Sequence, residues 1–153
     1  NRNDDLVGTE YSAIMKNVYS IAAGICFGIG YGDNFMAVLI SNAIRETEQF
    51  VDCVYPKHRD VKTSAYLGDL LVTAYSQYSR NRTFGNMIGK GYSVKFAKLE
   101  MKMVAEGYYA SKCVNDIQKK FELNLPIADA VYQCLYKGKN PKKTFMAIQG
   151  LLK

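Results

Sequence analysis

Ile14-Met-Lys-Asn-Val-Tyr-Ser-Ile-Ala-Ala-Gly-Ile-Cys-Phe27 is the stretch on which the fold turns. Ile14, Val18, Ile21 and Ile25 recur at three- and four-residue steps, the period of one helix face. Lys16 stands on the opposite face, where a solvated helix would continue with further polar residues. Its helical neighbours are instead Tyr19, Ser20, Ala23 and then Phe27. A helix that is apolar nearly all round is covered on both faces, which places this one at the centre of a helical assembly. Lys16, at its mouth, then loses part of its water. Desolvation favours the neutral amine, the form that takes up a proton, whereas a lysine at a helix start can also snorkel its ammonium back to solvent.

Outward from this segment the apolar spacing stays helical. Asn1 to Gly8 reads as a polar lead-in, with Leu6-Val7 as the remnant of a strand, and the first helix starts near Thr9. Gly28, Gly30 and Gly32 break it. Asp33 or Asn34 caps a second helix that runs through Val38, Ile40 and Ile44 towards Val54 and stops at Pro56. Helical turns follow the His58 loop over Val61 to Tyr75. Ser79 opens another helix that Gly89 and Gly91 end, and Ser93 to Met101 and Ala105 to Glu122 read as two more. Pro126 and Pro141 sit where prolines open helices, ahead of Ile127 to Lys137 and Phe145 to Leu152. The expectation is one all-α domain over residues 9–153, a bundle of about seven helices.

Composition narrows the function. The chain has 153 residues, 48% hydrophobic and 22% charged, which suits one soluble globular domain, and its net charge of +6 favours anionic partners. The lysines and arginines are dispersed, whereas a nucleic-acid groove concentrates them in a stripe with interleaved aromatics, so no nucleic acid is expected. Cys26, Cys53, Cys113 and Cys134 lie far apart, and His58 is the single histidine, so no zinc site can be assembled from neighbouring ligands. Four reduced, mostly buried thiols point to a cytoplasmic protein. No secretory leader is expected from the polar stretch Asn1 to Asp5, and the uncharged run Asn17 to Gly32 falls short of the ~20 residues of a membrane span. The twelve tyrosines mostly fall at helical spacing and are expected in the core. Gly28-Ile-Gly30-Tyr-Gly32 lacks the third glycine of a dinucleotide fingerprint and follows a helix, so it fails as one.

Three further places could carry chemistry. Ser79-Arg-Asn-Arg82 opens a helix, where unpaired N–H groups and the dipole favour an anion; an arginine fork and neutral side-chain donors suit a phosphate in particular. The alternative is a capped surface helix with two solvated arginines. Asp69, in Gly68-Asp-Leu-Leu-Val-Thr73, is either a helix cap or a buried carboxylate in need of a cation such as Lys16 or Arg80. Glu106 reads as a first-turn carboxylate or a ligand contact.

These places fall in order along one family signature. Met15-Lys-Asn-Val-Tyr-Ser-Ile-Ala-Ala-Gly24 with Gly30-Tyr-Gly-Asp-Asn34, Leu67-Gly-Asp-Leu-Leu-Val-Thr73, Ser79-Arg-Asn-Arg82 with Phe84-Gly85, Val104-Ala-Glu-Gly107, and Leu125-Pro-Ile127 with Leu135-Tyr136 together resemble the C-terminal half of bacterial-type NAD(P)-dependent glycerol-3-phosphate dehydrogenases. Tyr66, Cys26-Phe27 and Ala74 depart from the usual pattern.

The resemblance implies an all-helical substrate-binding domain, of the kind also found in 6-phosphogluconate dehydrogenase, joined through residues 1–8 to an N-terminal Rossmann domain that these 153 residues do not include. It implies interconversion of dihydroxyacetone phosphate and sn-glycerol 3-phosphate by hydride transfer with NAD or NADP, feeding glycerophospholipid synthesis. Lys16 would be the proton donor and acceptor. Lys16, Asp69, Ser79, Arg80 and Asn81 would hold the substrate, and Arg80, Val104 and Glu106 would touch the cofactor. The chain by itself is expected to fold as a monomer or homodimer and to be inactive. The rival readings are the helical half of a related hydroxy-acid dehydrogenase and a helical interaction module without enzymatic activity.

Overall fold

Seven helices and no strand are found among the described residues of this computed structural model, which are 6–54, 76, 79–101 and 105–153. In chain order they are α1 (Leu6–Ile29), α2 (Asp33–Val54), α3 (Arg80–Gly89), α4 (Val94–Glu100), α5 (Glu106–Lys120), α6 (Pro126–Tyr136) and α7 (Pro141–Gln149). Pro56, the His58 loop and the turns expected over Val61 to Tyr75 lie outside the described residues.

The central element is α1. Every residue from Val18 to Cys26 is buried, on all sides of the helix, and α2, α3, α5, α6 and α7 all pack on it. This is the environment that its all-round apolar sequence calls for. Once Glu10 and Lys16 are admitted, the stretch Glu10–Ile29 is long and apolar enough to cross a membrane by length and composition. Its apolar surface is instead occupied by the neighbouring helices. The helix starts at Leu6 rather than near Thr9, so Leu6 and Val7 are its first turn and not a strand remnant. Gly8, at about 1 kcal/mol against alanine, is too small a penalty to stop a helix extended from so well-packed a centre. At the other end Gly30 takes φ 111°, and the Tyr31 N–H donates to the Cys26 carbonyl at 3.0 Å, a glycine C-cap. Phe27, beyond the buried stretch, is 52% exposed.

The crossing of α1 and α3 is set by glycines. A Cβ on Gly24 would strike the Arg82 carbonyl, and one on Gly28 would come within 2.5 Å of the Asn86 carbonyl oxygen. Reciprocally, a Cβ on Gly85 or Gly89 would strike the Ile21 or Ile25 carbonyl. Two glycine pairs, each four residues apart, thus face each other and bring the two backbones into contact.

Helix α2 runs through Val38, Ile40 and Ile44 to Val54 as expected, and of these three Ile40 lies on its inward face. Met36, Leu39, Ile40, Ala43, Glu46, Thr47, Phe50 and Val51 are buried, Ile44 is half-buried and Val38 is 37% exposed. The helix carries apolar residues on two adjoining stripes, and contact with α1 and α6 selects the one containing Phe50 and Val51. Ser79, Ser93 and Asn140 cap α3, α4 and α7 with their own side chains, while α5 and α6 have no such cap of their own. Asn42 clasps Lys153 by two hydrogen bonds, its amide donating to the Lys153 carbonyl at 3.1 Å and accepting from the Lys153 N–H at 3.2 Å.

All four cysteines are free. The burial expected of most of them holds for Cys26 and Cys134, whereas Cys53 is half-buried and Cys113 exposed. Burial pushes the Cys134 thiol up to about 11 and also raises that of Cys26, which has Cys134 as a neighbour, so both stay protonated. Among the described tyrosines, Tyr19 and Tyr132 are buried as expected, but Tyr92 and Tyr109 face solvent.

Candidate functional site

Lys16, Asn17 and Ser20 lie where the fully buried stretch of α1 begins, and α3 and α5 start beside Ser20 and Asn17. Ser79 takes an extended conformation (φ −69°, ψ 125°) and its hydroxyl accepts the Arg82 N–H at 3.3 Å. The same hydroxyl lies 3.0 Å from that of Ser20, which ties the start of α3 to α1. One helical turn back along α1, Asn17 makes a second tie. Its Oδ1 accepts from the Asn81 amide at 3.2 Å, and its Nδ2 donates to Glu106 Oε2 across a longer 3.5 Å. Asn81 completes the ring by accepting the Gly107 N–H at 2.8 Å.

That last bond explains why α5 starts where it does. The helix opens at Glu106 with Ala105 as its N-cap residue, and alanine has no side chain to satisfy a first-turn N–H. Asn81 of α3 provides the acceptor instead. Gly107 is needed for this approach, because a Cβ there would come within 2.6 Å of the Asn17 carbonyl and 2.8 Å of Asn81 Oδ1. The starts of α3 and α5 are therefore held side by side, both presenting the positive end of a helix to one corner.

Of the residues singled out in the sequence, Ser79, Asn81 and Glu106 are tied together at this corner through Asn17 and Ser20, and Lys16 and Arg80 are their neighbours along α1 and α3. Lys16 is half-buried, one residue before Asn17 and one turn before Ser20. Asn81 is buried at 8% exposure, whereas Arg80, at the first position of α3, and Glu106, at the first position of α5, are exposed. The two arginines of the segment separate in role. The Arg82 guanidinium carbon sits 4.9 Å from the centre of the Phe27 ring, a cation–π contact on the flank of α1, while Arg80 stands at the helix start. Asp69 and Val104 lie outside the described residues.

Asn17 and Ser20 were not singled out by sequence reasoning. Their polarity in a largely apolar segment was the one local signal, and it does not say what either residue meets. Chemically, the corner offers a half-buried amine, two asparagines fixed by each other, and two helix starts beside an exposed arginine. Such a set suits a small anion bearing a hydroxyl or carbonyl oxygen.

The comparisons with known proteins agree with this arrangement. The profile of the family described as NAD-dependent glycerol-3-phosphate dehydrogenase C-terminus matches residues 5–146. A glycerol-3-phosphate dehydrogenase [NAD(P)+] of Chlorobium limicola is 41% identical over 137 residues, covering 90% of this chain and 41% of that protein. The enzyme of the same name from Bacillus subtilis is 35% identical over 150 residues, covering 98% of this chain and 43% of the relative. The chain thus spans less than half the length of the curated relatives it matches. Among solved structures, glycerol-3-phosphate dehydrogenase from Coxiella burnetii superposes with a TM-score of 0.91 at 31% identity, over 95% of this chain and 45% of that one. Sequence and fold agree, and the chain belongs to the family of C-terminal domains of NAD-dependent glycerol-3-phosphate dehydrogenases.

Proposed function

We propose that the protein carrying this chain is, like the relatives so named, a glycerol-3-phosphate dehydrogenase using NAD or NADP, and that it interconverts dihydroxyacetone phosphate and sn-glycerol 3-phosphate and so supplies the backbone of glycerophospholipids. The observation that carries the reading is the ring Glu106–Asn17–Asn81–Gly107 with the Ser20–Ser79 tie, which holds the starts of α3 and α5 against α1 one residue along from Lys16, with Arg80 at the first position of α3. Lys16 holds the substrate oxygen that gains or loses charge and moves the proton. Arg80, Ser79 and Asn81, at the α3 start, take the phosphate, and that binding fixes the reacting carbon. Asp69 orients Lys16 or a substrate hydroxyl. The nicotinamide, when bound, supplies or accepts the hydride. Glu106 fits it chemically: an exposed carboxylate at a helix start is an acceptor for the N–H groups of a carboxamide, and Arg80 and Val104 complete that contact. An N-terminal Rossmann domain precedes the helical domain, and four free thiols fit a cytoplasmic location.

The test is the phosphate. The intact protein should oxidise NADH or NADPH with dihydroxyacetone phosphate and show no comparable rate with dihydroxyacetone. Because a lysine cannot form the bidentate fork, Arg80→Lys should lower kcat/KM for the phosphorylated substrate by roughly 30-fold or more. Equal rates on the two ketones, or an unchanged kcat/KM, would remove the reading.

A further inference from the structure

A buried acid lies outside the corner just described. Glu46 of α2 is 5% exposed, and donors from two other helices surround it. The Tyr19 hydroxyl of α1 lies 3.1 Å from Oε1, the Ile127 N–H donates to Oε2 at 2.9 Å, and the Ala128 N–H donates to Oε1 at 3.2 Å. Ile127 and Ala128 form the first turn of α6, whose N-cap residue Leu125 offers no side-chain acceptor. The carboxyl of one helix is therefore the cap of another and is also tied to a third.

We propose that Glu46 is a proton-operated latch on the start of α6, closed while its carboxyl is neutral and loosened as that carboxyl is forced to ionise in place. The geometry admits the neutral acid. Each oxygen can accept a backbone N–H, and the acid's own proton can turn to the Tyr19 oxygen at the distance seen. An ionised carboxylate accepts all three donors but must hold its charge out of water. Among the described residues, the titratable groups facing Glu46 are Tyr19 from α1 and Asp129 from α6. Burial raises the Glu46 carboxyl, the Ile127, Ala128 and Tyr19 hydrogen bonds offset part of that rise and Asp129 adds to it, leaving it at about 7. Once the latch opens, the carboxyl is solvated and has an ordinary acid's affinity for protons. The closed form thus binds the proton more tightly than the open one, and closure weakens as pH rises from about 4.5 towards 7.

Hydrogen exchange of the Ile127 and Ala128 amides in the intact protein reads the latch directly. After correction for the intrinsic rate, their protection should fall by up to about two orders of magnitude between pH 5 and pH 8. In Glu46→Gln, which cannot ionise, it should stay flat. Protection that is flat in the unmutated protein, or an equal slope in Glu46→Gln, overturns the proposal. Should the glutamine variant fail to fold, Asp129→Asn decides. Removing the neighbouring negative charge eases ionisation of Glu46 in place, so the drop in protection should shrink and end at lower pH, and an unmoved drop refutes the latch.

Discussion

At the residue scale, the sharpest expectation concerns Lys16. It stands where the polar start of α1 gives way to a stretch buried on every side, beside the asparagine that links three helices. Methionine keeps the stem's volume and helix propensity while removing the charge and the proton. Lys16→Met in the intact protein should fold and bind cofactor normally, and kcat should fall by roughly 10²–10⁴-fold, the range of a lost general acid or base. Steady-state kinetics alongside cofactor titration measures both, and near-normal kcat would reduce Lys16 to a snorkelling surface lysine. Lys16, Ser79, Arg80, Asn81 and Glu106 could be singled out in the sequence because each breaks a local pattern or opens a helix. Asn17 and Ser20 could not, because what makes them useful is the partner each one meets, 64 and 59 residues away.

At the scale of elements, the sequence announces the helices but hides what completes the starts of the two that do not cap themselves. Serine or asparagine stands before α3, α4 and α7, and their starts could be read directly. The starts of α5 and α6 are completed by Asn81 and Glu46, and no local rule connects those residues to helices 26 and 81 positions on. The glycines of α3 were equally opaque. Gly89 reads as a helix terminator and does sit at the end of α3, but it also lies against the Ile25 backbone. A test separates helix propensity from close approach. Replacing a helical glycine by alanine ordinarily gains about 1 kcal/mol. At Gly85 the added carbon would meet the carbonyl of Ile21, with the Ile25 nitrogen only 3.0 Å away, and backbone cannot step aside. Gly85→Ala should therefore lose about 1–3 kcal/mol of unfolding free energy in denaturant titration. Gly150→Ala, which meets nothing within 4 Å at φ −70°, should lose none. A stabilised Gly85→Ala would show that the helices do not meet backbone to backbone.

At the scale of the whole molecule, stability should be graded outward from α1. Five helices pack on it, whereas α4 rests mainly on α3 and buries only Ala97. Amides of residues 18–26 should exchange only through global unfolding, and those of Val94–Glu100 through local opening that is orders of magnitude faster. Mass spectrometry of peptides covering the two segments would show it, and equal protection would mean that α4 is held by contacts not seen here. The all-α architecture was legible because a helix apolar on every side has few other places to go, but the choice of face on α2 was not, since two adjoining stripes were equally apolar. The glycine crossing has a consequence for tolerance to change. Where side chains separate two helices, their spacing drifts with every core replacement. Here the gap between α1, which bears Lys16, and α3, which bears Arg80, is fixed by touching peptide groups, whose dimensions no substitution elsewhere can alter. The rest of the core is thereby free to vary in sequence while the spacing of those two backbones is inherited unchanged.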